Sequence, residues 1–170
     1  TVFVVGELAL KKTNPDYTSI KIHSYGFLLC AFFIVLNFIY FYDSSSSSLM
    51  LSKDAKLYNE LASQIANNKS IEGIRMNYLG YQLFLGILYY LFYVRYLIGV
   101  LLNLLSFSLS MVFLRQLVLL VFENDENRYQ YANCSMLLFL LVPYIVRSST
   151  LLIKDALIVS CVLFITLQIL

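Results

Sequence analysis

The sequence predicts an all-α protein: a polytopic transmembrane helix bundle with an interfacial amphipathic helix in the first external loop. Five stretches without Asp, Glu, Lys or Arg make up more than half of the chain, and they lie at 24–42, 76–94, 96–114, 129–146 and 156–170. The chain is 60% hydrophobic with a mean hydropathy of +0.76. A spanning helix needs roughly 17–25 predominantly apolar residues, and four of the five stretches reach that length.

This composition excludes a water-soluble globule, a disulfide-stapled secreted module and a disordered tail. The net charge of +2 is spread over several loops and forms no basic face, so no nucleic-acid partner is expected. The lipid bilayer is the expected partner, and the expected location is the cell membrane, crossed several times. The lysines and arginines do not favour one side clearly enough to give the orientation.

Residues 1–24 form a polar N-terminal segment, and 25–170 form the transmembrane domain. We expect spans at about 25–42, 96–122, 129–146 and 156–170, with interfacial or re-entrant pieces at 51–67 and 78–94. The second of these pieces carries five tyrosines and two glycines and is the poorest spanning candidate. The chain starts at Thr1 without a Met and stops within an apolar run, so we expect a piece of a longer protein.

Residues 51–67 predict an amphipathic helix that is too polar to span. At 100° per residue, Asp54, Tyr58, Leu61 and Ile65 fall within about 60° of each other, and the lysines point the other way. A carboxylate therefore lies on the apolar edge of this helix.

Asp54 has two compatible interpretations. An Asp in the first turn of a helix accepts from free N–H groups and complements the helix dipole. Alternatively, a carboxylate at the membrane edge beside an apolar pocket is placed for general-base catalysis.

A second group of ionisable residues comprises Arg147, Lys154 and Asp155. If the stretch is helical, Arg147 and Lys154 stack on one face at about −20°. Together with the hydroxyls of residues 148–150 they would clamp a phosphate. The alternative is a set of interface anchors at a helix break after Pro143, with Asp155 neutralising Lys154. We also expect His23 and Arg115 to be snorkelling side chains at the interface.

The order of these pieces resembles a known family. The first span is followed by Asp54-Ala55-Lys56-Leu57-Tyr58-Asn59-Glu60-Leu61-Ala62, a D-x-x-x-Y-x-x-x-A pattern. A segment beginning Tyr78-Leu79-Gly80-Tyr81 comes next, then a long helix with Asn103 and Arg115, then Pro143, Arg147 and Lys154-Asp155. Over roughly residues 25–170 this is similar to the N-terminal half of the GT-C superfamily of polytopic glycosyltransferases, which contains protein mannosyltransferases and aminoarabinose transferases. Bacterial surface-polysaccharide polymerases look similar in this region.

The resemblance implies transfer of a sugar from a polyprenyl-phosphate donor to an acceptor on the external face. Asp54 matches the acidic residue that acts as base or orients the acceptor, and Tyr58 belongs to the same pattern. Arg147 and Lys154 would stabilise the leaving phosphate, and Asp155 matches a second acidic position seen in some members. A divalent metal is a candidate cofactor, but many members carry an Asp-Glu pair where this chain has Asp54-Ala55, so no metal ligands are assigned.

Two other classes stay open: a transporter or lipid-linked-sugar flippase, and a non-enzymatic membrane subunit whose charges serve assembly. No internal repeat of the kind that transporters carry is present. The glycosyltransferase arrangement also requires that Asp54 and the residues Arg147 to Asp155 lie on the same side of the membrane. That condition holds only if 78–94 does not span.

Overall fold

A computed structural model describes residues 2–13, 15–43, 48–49, 53–68, 79–93 and 96–170. Its helices are α1 Val2–Lys11, α2 Tyr17–Phe41, α3 Lys53–Asn68, α4 Leu79–Phe92, α5 Tyr96–Val121, α6 Arg128–Leu141, α7 Pro143–Thr150 and α8 Asp155–Ile169. Two short strands, β1 Tyr42–Asp43 and β2 Ser48–Leu49, pair antiparallel after α2. The prediction of a helical protein is confirmed.

Among the residues that the structure describes, two helices, α2 and α5, are long and apolar enough to cross a membrane, and α6 with α7 makes a third if the bent pair is one span. The 26 residues of α5 extend about 39 Å at 1.5 Å per residue, more than the roughly 30 Å of a hydrocarbon core. Helices α4 and α8 are apolar but shorter. By length and composition, these helices indicate a membrane protein with two to three candidate spans in the described ranges.

The predicted span over 129–146 is broken. Helix α6 ends at Leu141, Val142 is extended with φ −80° and ψ 105°, and α7 begins at Pro143. The two helices meet at 67°, because proline lacks the N–H of a continuing helix and restricts the residue before it to extended backbone. The predicted first span is also longer at its start, since α2 begins at Tyr17. Residues 51, 52, 78 and 94, at the ends of the two predicted interfacial pieces, lie outside the described residues.

Helix α5 lies at the centre of the fold. Tyr96 at its start contacts the ring of Phe38 near the end of α2, while Arg115 near its end contacts Ser19 at the start of α2. The two helices are therefore antiparallel. Helix α8 is parallel to α5, and the rings of Phe113 and Phe164 lie 5.4 Å apart.

Arg115 is fully buried, so the prediction that it snorkels to the interface is wrong. Its Nε donates to Ser19 Oγ at 2.9 Å, its Nη1 donates to Thr13 Oγ1 at 2.9 Å, and its Nη2 lies 3.9 Å from Asp16 Oδ1. Thr13 and Asp16, which precede α2, and Ser19, in its first turn, supply these partners. These partners offset the cost of removing the guanidinium from water, so the side chain can remain buried.

Burial by itself would raise the pKa of Asp16, but hydrogen bonds from Ser19 and Asn133 outweigh it and hold the pKa below its usual value. The carboxylate thus remains charged opposite Arg115. The same residues join α2, α5 and α6, which fixes one end of the bundle.

Helix α3 packs against α4 by a face that differs from the predicted one. Its buried residues are Ala55, Tyr58, Asn59, Ala62, Ile65 and Ala66. Asp54 is exposed and Leu61 only half-buried. The face is rotated toward the alanines because α4 approaches closely: a Cβ at Gly86 would lie 3.3 Å from the carbonyl oxygen of Ala62. Small residues permit such an approach.

Candidate functional site

The charged residues singled out in the sequence lie in and beside the turn between α7 and α8. Helix α7 ends at Thr150, Leu151 is extended with φ −116° and ψ 163°, and α8 starts with Asp155 in its first turn. An acidic residue is favoured there because it complements the positive end of the helix dipole. Arg147 and Lys154 therefore belong to different elements, and the prediction that they stack on one helical face is wrong.

Two side chains from α5 hold this turn in place. Asn103 is fully buried, and its Nδ2 donates to the carbonyl oxygens of Leu151 at 2.6 Å and Ile153 at 2.8 Å. The backbone N–H of Leu152 donates to the hydroxyl of Tyr96 at 3.2 Å. Backbone groups of a buried turn need such partners, since each would otherwise be left unpaired. The positions of Arg147 and Lys154 thus depend on α5.

A cavity of about 560 Å³ lies on the Arg147 side of the turn. Its apolar wall comes from α2 and from the α6–α7 bend, and includes Leu29, Phe33, Leu140, Pro143 and Val146. Its polar lining residues are Asn37, Arg147 and Thr150. The α6–α7 bend borders this space, because residues of both helices line it. We call it the lipid groove.

A second cavity of about 270 Å³ lies on the Lys154 side of the turn, between α3, α4 and α8. Tyr58, Tyr81, Gln82 and Lys154 are among its lining residues. The rings of Tyr58 and Tyr81 meet edge to face at 5.3 Å between centroids. Tyr81 also donates to Asn103 Oδ1 at 3.4 Å, so the wall of this cavity is tied to the same asparagine. We call it the inner cavity.

Tyr144 contacts Asp155 and feels the charge of Asp54. The Tyr144 hydroxyl donates to Asp155 Oδ2, and the charges of Asp155, Arg147 and Asp54 all act on this tyrosine. The structure therefore brings the predicted acidic residues and Arg147 to one end of the bundle. Asp54 itself is exposed in the first turn of α3, so its carboxylate is solvated rather than enclosed by an apolar pocket.

The three hydroxyls after Arg147 do not form the predicted clamp. Ser148 and Ser149 donate to the carbonyl oxygen of Ile145, and Thr150 donates to that of Arg147. All three residues are buried. The hydroxyls therefore donate to backbone carbonyl oxygens of their own helix and are not available to a phosphate.

His23 is fully buried, and the prediction that it snorkels is wrong. Its Nε2 lies 2.8 Å from Ser108 Oγ and its Nδ1 lies 3.2 Å from Glu7 Oε1. This order of serine, histidine and acid is typical of hydrolases. A Cβ at Gly6 would overlap Ser108 Oγ, however, so α1 covers the hydroxyl and leaves no room for a substrate carbonyl. The cluster joins α1, α2 and α5.

The sequence interpretation missed three residues that shape the site: Tyr96, Gln82 and Tyr144. It quoted Asn103 only as part of the family resemblance. The sequence did contain a signal for Asn103, because an amide side chain within a charge-free stretch needs a hydrogen-bond partner inside the bundle. No group of three His, Cys, Asp or Glu that could hold a metal ion occurs in the described ranges.

No protein-family model, curated protein or solved structure matches this chain.

Impermeant maleimide labelling should show that Asp54 and Tyr144 lie on the same side of the membrane. In a cysteine-free background we expect Lys56→Cys and Tyr144→Cys to be labelled in intact cells, because both positions are exposed at the shared end. Glu126→Cys, in the exposed loop after α5, should react only after the membrane is opened. Labelling at only one of the first two positions would contradict the shared end.

Proposed function

We propose that this chain belongs to a membrane glycosyltransferase that moves a sugar from a polyprenyl-phosphate donor to an acceptor on the external face. The product would be a cell-surface polysaccharide or glycoconjugate. The observation that carries the proposal is the lipid groove with Arg147 among its lining residues. It lies beside the end of the bundle where Tyr144 donates to Asp155 and feels the charge of Asp54.

The groove suits the donor's two parts. Its long apolar wall between α2 and the α6–α7 bend matches an isoprenoid chain. Such a chain gains van der Waals contacts when it exchanges lipid neighbours for a surface that fits it. The guanidinium of Arg147 offers a planar fork that can donate two hydrogen bonds to a phosphate. An amphiphilic anion would thus bind with its chain in the groove and its phosphate near α7.

The chemistry follows from the residues at this end. Asp54 would take the proton of an acceptor hydroxyl, and the acceptor oxygen would form a bond to the anomeric carbon of the sugar. The bond between that carbon and the phosphate oxygen breaks, and polyprenyl phosphate leaves with the bonding electrons. Arg147 and Lys154 would stabilise the charge on the leaving phosphate.

Incubation with radiolabelled polyprenyl-phosphate sugars tests the proposal. We expect transfer of label by the complete protein, and we expect Arg147→Gln to raise the KM for the donor by about 10–100-fold, the usual loss for a hydrogen bond to a charged group. Arg147 is exposed, so the variant should fold. Arg128→Gln is the matched control, since Arg128 donates to the carbonyl oxygen of Glu123 in the loop after α5.

One observation favours a second candidate, a lipid-linked-sugar flippase. Helices broken near proline, such as α6–α7, are typical of transporters. A flippase would bind the same donor without breaking its bond to phosphate. Movement of intact labelled donor across vesicle membranes, with no label on any acceptor, would decide for this candidate and against the transferase.

A further inference from the structure

Gln82 presents an unusual feature of the inner cavity. The side chain is fully buried, yet neither its Nε2 nor its Oε1 has a hydrogen-bond partner within the described part of the chain. An amide can donate twice and accept twice, and buried polar groups are nearly always paired. An unpaired buried amide that lines a cavity is therefore a marker for a ligand that pairs with it.

The other lining residues indicate what kind of ligand this is. Tyr58 and Tyr81 contribute aromatic rings, Phe84 adds a third, and Lys154 adds a cationic donor. An aromatic wall with a few convergent polar groups is the usual composition of a site for a small molecule. A sugar ring fits this combination, because its C–H faces pack on aromatic rings while its hydroxyls both donate and accept hydrogen bonds.

The position of the cavity agrees with this ligand. The inner cavity and the lipid groove lie on either side of the turn that Asn103 holds, with Leu151 lining one and Lys154 lining the other. A phosphate near this turn would have an apolar groove on one side and a sugar-sized space on the other. The volume of about 270 Å³ admits a single ring rather than an oligosaccharide.

We propose that the inner cavity is a sugar-binding subsite in which the Gln82 amide hydrogen-bonds the ring hydroxyls and Tyr81 packs against the ring. The assignment rests on the proposed function, because it takes the sugar to be part of that reaction. The competing interpretation is a cavity that holds only water, which would also pair with the amide.

Binding of alkyl glycosides to the purified complete protein tests this subsite. The probes are octyl glycosides of a panel of hexoses and pentoses, and the protein is kept in a polyoxyethylene detergent, which has no sugar headgroup. We expect at least one glycoside to bind, and Gln82→Met to weaken it by about tenfold, since a neutral hydrogen bond contributes roughly that factor. Gln64→Met is the matched control, because Gln64 is exposed on α3.

The variant should unfold at the same temperature as the wild type or higher, because it removes an unpaired buried amide. Gln82→Asn is the second variant, in which the amide remains but its side chain is shorter by one methylene. We expect its affinity for the glycoside to lie between those of the wild type and Gln82→Met. In transfer assays, a rise in the donor's KM would place the donor sugar in the cavity, and a rise in the acceptor's KM would place the acceptor there.

Two results would overturn the subsite: no glycoside of the panel binds, or binding is unchanged in Gln82→Met. The proposed function fails differently, by an absence of label transfer from polyprenyl-phosphate sugars while glycosides still bind in a Gln82-dependent manner. Transfer that proceeds normally in Gln82→Met would leave the function intact and remove the subsite.

Discussion

Replacing Asn103 with Asp should lower the free energy of unfolding by about 3–5 kcal/mol, the usual cost of an uncompensated buried charge. The change keeps the shape of the side chain but replaces the Nδ2 donor with an oxygen. That oxygen would face the carbonyl oxygens of Leu151 and Ile153, which lie 2.6 and 2.8 Å from Nδ2. The measurement is thermal unfolding of the purified protein in detergent.

The pH dependence of this penalty provides a second test. Below its raised pKa, the introduced carboxyl group is protonated and can donate one of the two lost hydrogen bonds. The destabilisation should therefore be smaller at pH 5 than at pH 8. Asn127→Asp is the control, since Asn127 is exposed in the loop before α6, and it should change stability by less than about 0.5 kcal/mol. Equal stability of Asn103→Asp and the wild type would contradict the role of Asn103.

Replacing Asp54 with Asn should reduce sugar transfer by about 100- to 10,000-fold, the range for loss of a general base. The free energy of unfolding should fall by less than about 1 kcal/mol, because Asp54 is exposed and the neutral Asn loses only the interaction of the charge with the helix dipole. The measurement is the rate of label transfer from polyprenyl-phosphate sugars at saturating donor.

Glu60→Gln is the matched control for Asp54→Asn. Glu60 is another exposed acid of α3, 3.9 Å from Lys56, and its loss should leave transfer unaffected. Asp155→Asn distinguishes the two acids whose charges act on Tyr144. If Asp155 is the base, this variant loses transfer and Asp54→Asn does not. Unchanged transfer by Asp54→Asn would remove Asp54 from the mechanism.

The largest features of the fold could be predicted from the distribution of charge. Long charge-free stretches predicted α2 and α5, and both helices are long enough to span a membrane. The shortness of α4 and the amphipathic character of α3 were also visible in the sequence. These features depend on the local balance between apolar and polar residues, and no knowledge of neighbours is needed to find them.

The fate of individual polar residues could not be predicted in this way. Arg115 and His23 are close enough to the ends of apolar stretches that snorkelling was the simplest prediction. In the structure, both are instead buried against residues distant in the sequence, such as Thr13 and Ser108. The buried face of α3 follows the alanines because α4 approaches closely at Gly86. A periodicity based on large apolar side chains cannot predict a close contact between small residues of two helices.

The site, like the fold, combines features that the sequence predicts with features that only the tertiary structure decides. The sequence by itself determined which ionisable residues needed explanation, because charge is costly near hydrocarbon, and it selected Asp54, Arg147, Lys154 and Asp155. Only the tertiary structure decided how they are arranged: the break at Pro143 ends one helix early, and Asn103 draws the following turn onto α5. That turn separates Arg147 from Lys154 and creates a cavity beside each. Hydrogen bonds between residues distant in the chain set the position of this turn, and a local pattern does not show which residues they join.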